Sequence, residues 1–189
     1  MDVHSGGKRS TLAVAADVLA LDPTASLAVI AEAAGIGRTT LHKRYPKRQD
    51  MLLAVAYDSI ELMEQALVDA GMTDEQTDAA EALGRFIEAC VALGSRIAFL
   101  FRQPSLDPVK DIQLASDRID ATTNAFIVRA QREGLLRADQ PAWWINSTLY
   151  AICYGAWENV ALGRLAPLDA PKLALETALT GLGRTDRAQ

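Results

Sequence analysis

The sequence predicts an all-α fold of about nine helices, in which a small N-terminal three-helix domain precedes a larger helical domain. Half of the 189 residues are hydrophobic but only 6% are aromatic, a composition typical of helices packed on helices. Apolar residues recur at intervals of three and four along most of the chain, which is the spacing of one helical face. No apolar–polar alternation of useful length indicates a strand.

The first three predicted helices are short and closely spaced, and they cover residues 11–21, 27–34 and 38–45. Ser10 or Thr11 can cap the first helix, and Thr24 or Ser26 can cap the second. Gly35 follows the second helix, where a glycine in the left-handed conformation commonly ends a helix. Two short helices joined by such a turn predict a helix-turn-helix, whose second helix enters the major groove of DNA.

Six further helices are predicted, over residues 47–70, 79–102, 105–114, 116–133, 141–165 and 170–182. Glycine and proline mark most of their ends. The polar stretch 72–78 is interpreted as a linker. The last two helices carry more apolar surface than one domain of this size can cover, so we expect them to form the interface of a homodimer.

Charge is distributed unevenly along the chain. The net charge is −5, but residues 1–56 carry seven Lys or Arg and five acids, whereas the remainder carries 12 and 19. This asymmetry indicates that only the N-terminal end meets a polyanion. In the third helix Leu41 is expected to pack inward. The side chains predicted to face outward are Arg38, Thr39, Thr40, His42, Lys43 and Arg44.

The segment from Ile30 to Leu52 reads IAEAAGIGRTTLHKRYPKRQDML. It resembles the signature of the TetR (tetracycline-repressor) family of bacterial regulators, whose pattern is roughly IAxxAGVSxGTLYxYFxSKExL. The resemblance extends without gaps from Leu12 to Val55. It implies a DNA-binding domain over residues 1–55 and an effector-binding and dimerisation domain over residues 56–189, in which only helix number and length resemble the family.

The resemblance also implies roles for individual residues. Thr40 stands at a position that often contacts a phosphate, and His42 replaces the usual Tyr but can still donate to one. Tyr45 replaces the common Phe and keeps a ring in the core, and Arg48 replaces a Lys that can reach the DNA backbone. The predicted DNA-binding residues are Arg38, Thr39, Thr40, His42, Lys43, Arg44, Tyr45, Lys47 and Arg48.

Two residues depart from the family pattern at helix N-termini. Gly37 replaces the usual Ser before the third helix, and Lys47 replaces the usual Ser before the fourth. Glycine is a tolerable N-cap, whereas a lysine side chain cannot accept the capping hydrogen bond. We therefore expect local differences in how the helix-turn-helix is held, within the same motif.

The predicted effector site lies between the helices at 79–102, 116–133 and 141–165, where large side chains form inward stripes. The predicted ligand-binding residues are Phe86, Cys90, Ile97, Phe101, Phe126, Trp143, Asn146, Ser147, Tyr150, Tyr154 and Trp157. Few of them are polar, so the expected ligand is small and mainly hydrophobic, oriented by hydrogen bonds rather than by a metal or a salt bridge. The alternative is that these stripes are only core or dimer packing. Glu158 is expected to pair with Arg164 or Arg129, or to recognise a cationic ligand.

The sequence disfavours other functions. Both histidines lie in the first 42 residues, and no GxSxG motif, phosphate-binding loop or Cys/His arrangement indicates an enzyme, a metal site or a cofactor. Cys90 and Cys153 are interpreted as buried thiols in a reducing cytoplasm. No apolar run is long and uninterrupted enough to span a membrane, so a cytoplasmic protein is predicted.

Together these observations predict a homodimeric, sequence-specific regulator that binds double-stranded DNA at a palindromic operator. The family resemblance implies repression that is relieved when a small effector binds the second domain. The alternative is a protein of the same fold that works as an interaction or architectural factor without an effector. An enclosed pocket in the second domain favours the first hypothesis, and a filled core favours the second.

Overall fold

A computed structural model describes residues 9–184, and nine α-helices account for most of them. In chain order they are α1 (Thr11–Leu21), α2 (Leu27–Ala33), α3 (Arg38–Arg44), α4 (Arg48–Asp69), α5 (Ala79–Ala92), α6 (Gly94–Phe101), α7 (Lys110–Arg132), α8 (Ala142–Ala161) and α9 (Ala170–Leu182). Within residues 9–184 the only β-type pairing is an isolated antiparallel bridge between Leu136 and Gly183. The all-α prediction is confirmed.

Side-chain caps decide between the alternatives at the starts of α1 and α2. The Ser10 hydroxyl accepts a hydrogen bond from the Ala13 N–H at 3.0 Å, and the Ser26 hydroxyl accepts one from the Val29 N–H at 3.4 Å. Each bond satisfies an N–H group that has no partner within its own helix. Thr24 is not a cap, because it lies in the loop before Ser26.

The helix predicted over residues 79–102 is two helices, α5 and α6. The chain turns at Leu93, which has φ −88° and ψ 9°, and Gly94 begins α6. A close approach explains the glycine, because a β-carbon on Gly94 would lie 2.2 Å from Cγ of Trp157 on α8. The interhelical contact with Trp157 therefore requires a residue without a side chain at the start of α6.

The helices predicted over 105–114 and 116–133 are replaced by a short 3₁₀ turn, Pro104–Leu106, and by the single long helix α7. Helix α7 begins just after Pro108, as expected of a residue that lacks an N–H donor. It does not break near residue 115, because Ile112, Ala115 and Ile119 form one continuous buried face. The two boundary errors offset each other, so the predicted helix number agrees with the structure.

Helix α4 connects the N-terminal helices with the larger helical part. Its first half buries Met51 and Val55, and its second half buries Ile60 and Met63. It packs against α1, α5, α6 and α7, and α5, α8 and α9 also pack against one another. The domain boundary predicted after Val55 stays a prediction, and it falls inside this continuous helix.

Candidate DNA-binding and effector sites

The turn between α2 and α3 has the geometry of a helix-turn-helix. Gly35 adopts φ +63°, a left-handed conformation that costs glycine little. The N–H of Ile36 then donates to the Ala31 carbonyl at 3.0 Å and closes the end of α2. Leu41 on α3 is 1% exposed, so one face of α3 is fixed against the core.

The opposite face of α3 is open to solvent. Its exposed side chains are the six that the sequence assigned there: Arg38, Thr39, Thr40, His42, Lys43 and Arg44. The helix thus presents three permanent cations and several hydrogen-bond donors on one surface. A short exposed helix of this composition can contact both phosphates and base edges in a major groove.

Tyr45 belongs to the core rather than to the exposed surface. It is 7% exposed, and the guanidinium carbon of Arg44 lies 5.6 Å from the centre of its ring. This contact is a cation–π interaction, through which the buried ring holds the Arg44 side chain in place. The structure therefore corrects the assignment of Tyr45 to direct DNA contact, because little of the side chain reaches solvent.

Arg48 points to the loop between α1 and α2 instead of outward. Its Nε donates to the Ala25 carbonyl at 3.2 Å, and its Nη2 donates to the Pro23 carbonyl. These bonds occupy the guanidinium group that was expected to reach a phosphate. Next to it, Lys47 stays exposed while its backbone N–H donates to the Asp50 carboxylate at 2.9 Å. Asp50 thus provides an acidic group at the start of α4, where the N-terminal residue offers no side-chain cap.

An open cavity of about 500 Å³ lies among α4, α6, α7 and α8, and we call it the α6–α7 cavity. Apolar side chains make most of its wall, and they are Ile60, Met63, Ile97, Leu100, Phe101, Leu106, Ile112 and Ile119. Its size is that of a small-molecule site. The exposed position of Phe101, at 66%, indicates that this ring lies at the rim.

The charged side chains that line the cavity are all acidic. Asp107 comes from the segment before α7, and Asp117 and Asp120 come from α7 itself. No lysine or arginine is among the lining residues within the described part of the chain. The three carboxylates differ from the sequence-based expectation that no charged side chain would contact the ligand.

Helix α8 contributes two buried polar side chains, one that lines the cavity and one that is hydrogen bonded to a lining residue. Tyr150 lines it, is 8% exposed, and has a hydroxyl that completes no well-formed hydrogen bond beside Thr123. Asn146 is 5% exposed and donates from Nδ2 to the Asp120 carboxylate at 3.0 Å, while its Oδ1 accepts no bond. Burial raises the pKa of Tyr150 above its usual value, so the hydroxyl keeps its proton and can both donate and accept.

No protein-family model matches the chain, but individual proteins do. The transcriptional repressor LfrR of Mycolicibacterium smegmatis is 33% identical over 180 residues, which are 94% of this chain and 93% of LfrR. The chain belongs to the TetR-like family of transcriptional regulators. A crystal structure of LfrR with proflavine superposes with a TM-score of 0.70 at 27% identity and covers 90% of this chain and 93% of LfrR.

The chain is also similar to the HTH-type transcriptional regulator NfxB of Pseudomonas aeruginosa. It is 27% identical over 169 residues, covering 88% of this chain and 89% of NfxB. The structure of the MbdR regulator from Azoarcus has the same fold, with a TM-score of 0.69 at 19% identity over 91% of this chain and 96% of MbdR. The sequence-based prediction of a TetR-like helix-turn-helix regulator is therefore confirmed.

Few of the predicted ligand-binding residues line the cavity of this TetR-like protein. Ile97, Phe101 and Tyr150 do so. Phe86, Cys90 and Phe126 instead fill the core, each at most 2% exposed. The adjacent Cys153 thiol and burial raise the pKa of Cys90, as expected of an unreactive thiol.

The aromatic stripe predicted on α8 does not face one cavity. Trp143 is 62% exposed and Ser147 is also exposed, because the buried stripe of α8 runs instead through residues 145, 146, 149, 150 and 153. Tyr154 and Trp157 lie half-buried beside this stripe and contact each other with ring centres 5.8 Å apart. The prediction that these residues line the cavity is therefore corrected, because none of the four is part of its wall. They are Trp143, Ser147, Tyr154 and Trp157.

The sequence reading missed the polar side of the cavity. Gln113, Ser116, Asp117 and Asp120 recur at intervals of three and four on α7, which places them on one face of that helix. The signal was present, but a polar stripe on a helix is usually a solvated face. Here the preceding loop and α6 cover part of that face and turn it into a wall of the cavity.

The segment directly after α6 is hydrogen bonded to the last turn of α1 and to the loop that leads into the helix-turn-helix. Arg102 donates to the Ala20 carbonyl at 2.6 Å, and Gln103 donates to the Pro23 carbonyl at 3.0 Å. Arg102 also contacts the Tyr154 hydroxyl and lies 3.2 Å from Glu158 on α8. The partner of Glu158 is thus Arg102 rather than Arg164 or Arg129. We call this set of contacts the Arg102 bridge.

No helix within residues 9–184 is long and apolar enough to cross a membrane. No group of three or more His, Cys, Asp or Glu side chains in that range is placed to hold a metal ion.

Proposed function

We propose that the chain is a homodimeric repressor that binds palindromic operator DNA through α2 and α3 and is released when a small, mainly hydrophobic ligand enters the α6–α7 cavity. The observation that carries this proposal is the double role of α6. Its residues Ile97, Leu100 and Phe101 line the cavity, and Arg102 and Gln103 directly after them hold the last turn of α1 and the α1–α2 loop. A ligand that favours another position of α6 would therefore change how α2 and α3 are held.

A second connection supports the same route. The buried guanidinium of Arg96 on α6 pairs with Asp58 on α4, and its Nη1 lies 3.4 Å from the Ser59 hydroxyl. Helix α4 begins directly after the turn that follows α3. Displacement of α6 would thus act on the DNA-binding helices through both α1 and α4.

For the DNA contact we assign two groups of residues. Lys47, Thr40 and His42 are proposed to contact phosphates, because they lie exposed at the edges of α3 and at the start of α4. Base edges are proposed to be read by Arg38, Thr39, Lys43 and Arg44. Arg48 and Tyr45 are proposed to position α3 and α4 from inside. Such a protein acts on DNA in the bacterial cytoplasm.

The dimer is proposed to form through a groove between α8 and α9, lined by Ile152, Gly155, Leu165 and Leu173 among others. Leu173 is 50% exposed in the single chain. Nearby Leu162 and Leu168 are also exposed, at 53% and 93%. A second copy of the chain would cover this apolar surface, and two-fold symmetry would match a palindromic operator.

The ligand is proposed to have an aromatic, apolar body. LfrR has been crystallised with proflavine, a flat aromatic molecule, and a cavity of about 500 Å³ can hold a molecule of that size. The alternative, an architectural factor without an effector, predicts a filled core in the larger helical part. The α6–α7 cavity argues against it.

The test is operator binding and its reversal. DNA selected from a random pool by the purified protein serves as the operator, and its dissociation constant is measured by fluorescence anisotropy with and without proflavine. Release of the DNA by proflavine is expected, and Lys43→Ala should weaken binding. Lys172→Ala should not, because Lys172 is exposed on α9 and lies outside the lining of the proposed dimer groove. Selection of no sequence, or Lys43→Ala binding as tightly as Lys172→Ala, would contradict the proposal.

A further inference from the structure

The α7–α8 wall of the cavity carries an inference about the chemistry of the ligand, which rests on the proposed function. We propose that this wall binds the positively charged nitrogen of an otherwise apolar ligand, with Asp120 as its counter-ion and the Tyr150 hydroxyl as its second polar contact. From the sequence, by contrast, the ligand of this site is expected to be oriented by hydrogen bonds rather than by a salt bridge.

The first observation is how Asp120 is held. Asn146 donates to one carboxylate oxygen at 3.0 Å, and Asn146 itself is 5% exposed and fixed in the core. This bond orients the carboxylate and leaves its second oxygen for another donor. Within residues 9–184 no lysine or arginine pairs with Asp120, whereas Asp58, Glu64 and Glu158 all have such partners.

The second observation is the unpartnered Tyr150 hydroxyl. Tyr150 is 8% exposed, lines the same cavity, and has no well-formed hydrogen bond. A buried polar group without a partner is costly, and a ligand that supplies a hydrogen-bonding group removes this cost. Tyr150 and Asp120 line one cavity, so a nitrogen that carries several N–H groups could use both.

The third observation is the sign of the charge around the site. Asp107 and Asp117 line the same cavity as Asp120, and no cationic residue lines it within the described chain. A carboxylate or phosphate ligand would face three like charges, whereas a cation would face three opposite ones. The apolar wall formed by Ile97, Leu106 and Ile119 would meanwhile contact the rest of the ligand.

The experiment compares two probes of the same three-ring shape. 9-Aminoacridine is protonated at neutral pH and carries N–H donors, whereas acridine is neutral. Binding to the full-length protein is measured by titration of probe fluorescence. We expect 9-aminoacridine to bind about ten- to hundredfold more tightly, as a charge-assisted hydrogen bond implies.

Variants assign the preference to the wall. Asp120→Asn should remove most of the preference for 9-aminoacridine over acridine, without weakening the binding of acridine. Tyr150→Phe should weaken the binding of 9-aminoacridine selectively. Asp111→Asn removes the same charge from an exposed position on α7 outside the cavity and should leave the preference intact. Binding of acridine to each variant verifies that the cavity has folded.

The outcomes separate this inference from the proposed function. Equal binding of the two probes, or the same loss of preference in Asp111→Asn as in Asp120→Asn, would overturn the inference, even if both probes release the operator. Failure of both probes to bind the wild-type protein would contradict the inference and also the effector part of the proposed function.

Discussion

At the scale of single residues, Gly94 and Trp157 form the closest interhelical contact that a glycine makes in the described chain. A β-carbon at Gly94 would lie 2.2 Å from Cγ and 2.3 Å from Cβ of Trp157. The Cβ atom cannot move without the α8 backbone, so a rotation of the indole does not relieve the clash. Helices α6 and α8 would have to separate.

Gly94→Ala is therefore expected to reduce the free energy of unfolding by about 1–3 kcal/mol, the usual cost of overpacking a core. Urea denaturation followed by circular dichroism measures this. Gly84→Ala on α5 is the matched control, since its β-carbon would meet only Leu175 at an ordinary 3.7 Å. It should be neutral or stabilising by up to about 1 kcal/mol. Equal effects of the two substitutions would mean that the α6–α8 contact can relax.

Arg48 gives a second prediction at this scale, because its guanidinium group is bonded to the Pro23 and Ala25 carbonyls. Arg48→Ala is expected to weaken operator binding through loss of positioning, with the dependence of affinity on salt nearly unchanged. Lys47→Ala should instead lower the slope of log affinity against log salt by about 1, as loss of one phosphate contact does. A reduced slope in Arg48→Ala would restore the direct phosphate contact that the family resemblance implies.

The residue scale also explains how far the sequence could define the sites. The exposed face of α3 was predictable, because Leu41 at a single inward position determines which side chains point outward. The role of Arg48 was not, since its partners are backbone carbonyls more than twenty positions away. The acidic wall of the cavity was not predictable either, because the spacing of Asp117 and Asp120 is that of a solvent-exposed helix face. Only the tertiary packing of α6 beside α7 places them at a cavity.

At the scale of elements, α6 and the Arg102 bridge connect three parts of the chain. Arg102 contacts the last turn of α1 through Ala20 and contacts Tyr154 and Glu158 on α8. Helix α8 is also the proposed dimer helix. The position of α1 relative to the proposed dimer interface therefore depends in part on this one side chain.

Arg102→Met is expected to bind 9-aminoacridine about as tightly as the wild type but to lose much of the effect of the ligand on operator affinity. Coupling between two sites is typically about 5- to 150-fold in affinity, and the ratio of operator dissociation constants with and without ligand measures it. Arg85→Met is the control, because Arg85 pairs with Glu81 on its own helix. An unchanged ratio in Arg102→Met would exclude the bridge from the route of coupling.

Element boundaries were the least predictable part of the fold. The break between α5 and α6 depends on Trp157, which is more than sixty residues away, so no local signal marks it beyond the single glycine. The uninterrupted α7 has the reverse explanation, since Ile112, Ala115 and Ile119 form a buried face that continues across the break predicted near residue 115. The aromatic stripe of α8 was assigned to the wrong side because its large residues flank the buried face instead of forming it.

At the scale of the whole molecule, the apolar surface on α8 and α9 predicts the oligomeric state. Leu173→Glu places a charge in the proposed groove and is expected to convert the dimer into a monomer at micromolar concentration, as measured by sedimentation velocity. The monomer should also lose most of its operator affinity, because it binds one half-site at a time.

Leu114→Glu on α7 is the matched control, since Leu114 is 49% exposed, almost as much as Leu173, and lies outside the proposed groove. It should remain a dimer. A wild-type protein that sediments as a monomer, or a Leu173→Glu protein that stays a dimer, would show that another surface joins the subunits.

The length of α4 has a geometric consequence. Its 22 residues make a rigid rod of about 33 Å, with one end beneath the DNA-facing helices and Ile60 and Met63 in the wall of the cavity. A tilt of only about 5° moves the far end of such a rod by about 3 Å, which is close to the rise of about 3.4 Å between neighbouring base pairs. In a symmetric pair the two rods swing in opposite directions, so the mismatch with the spacing of the half-sites doubles. A ligand that tilts α4 by this amount would therefore shift the two DNA-binding ends relative to each other by about 6 Å, which is nearly two base-pair steps.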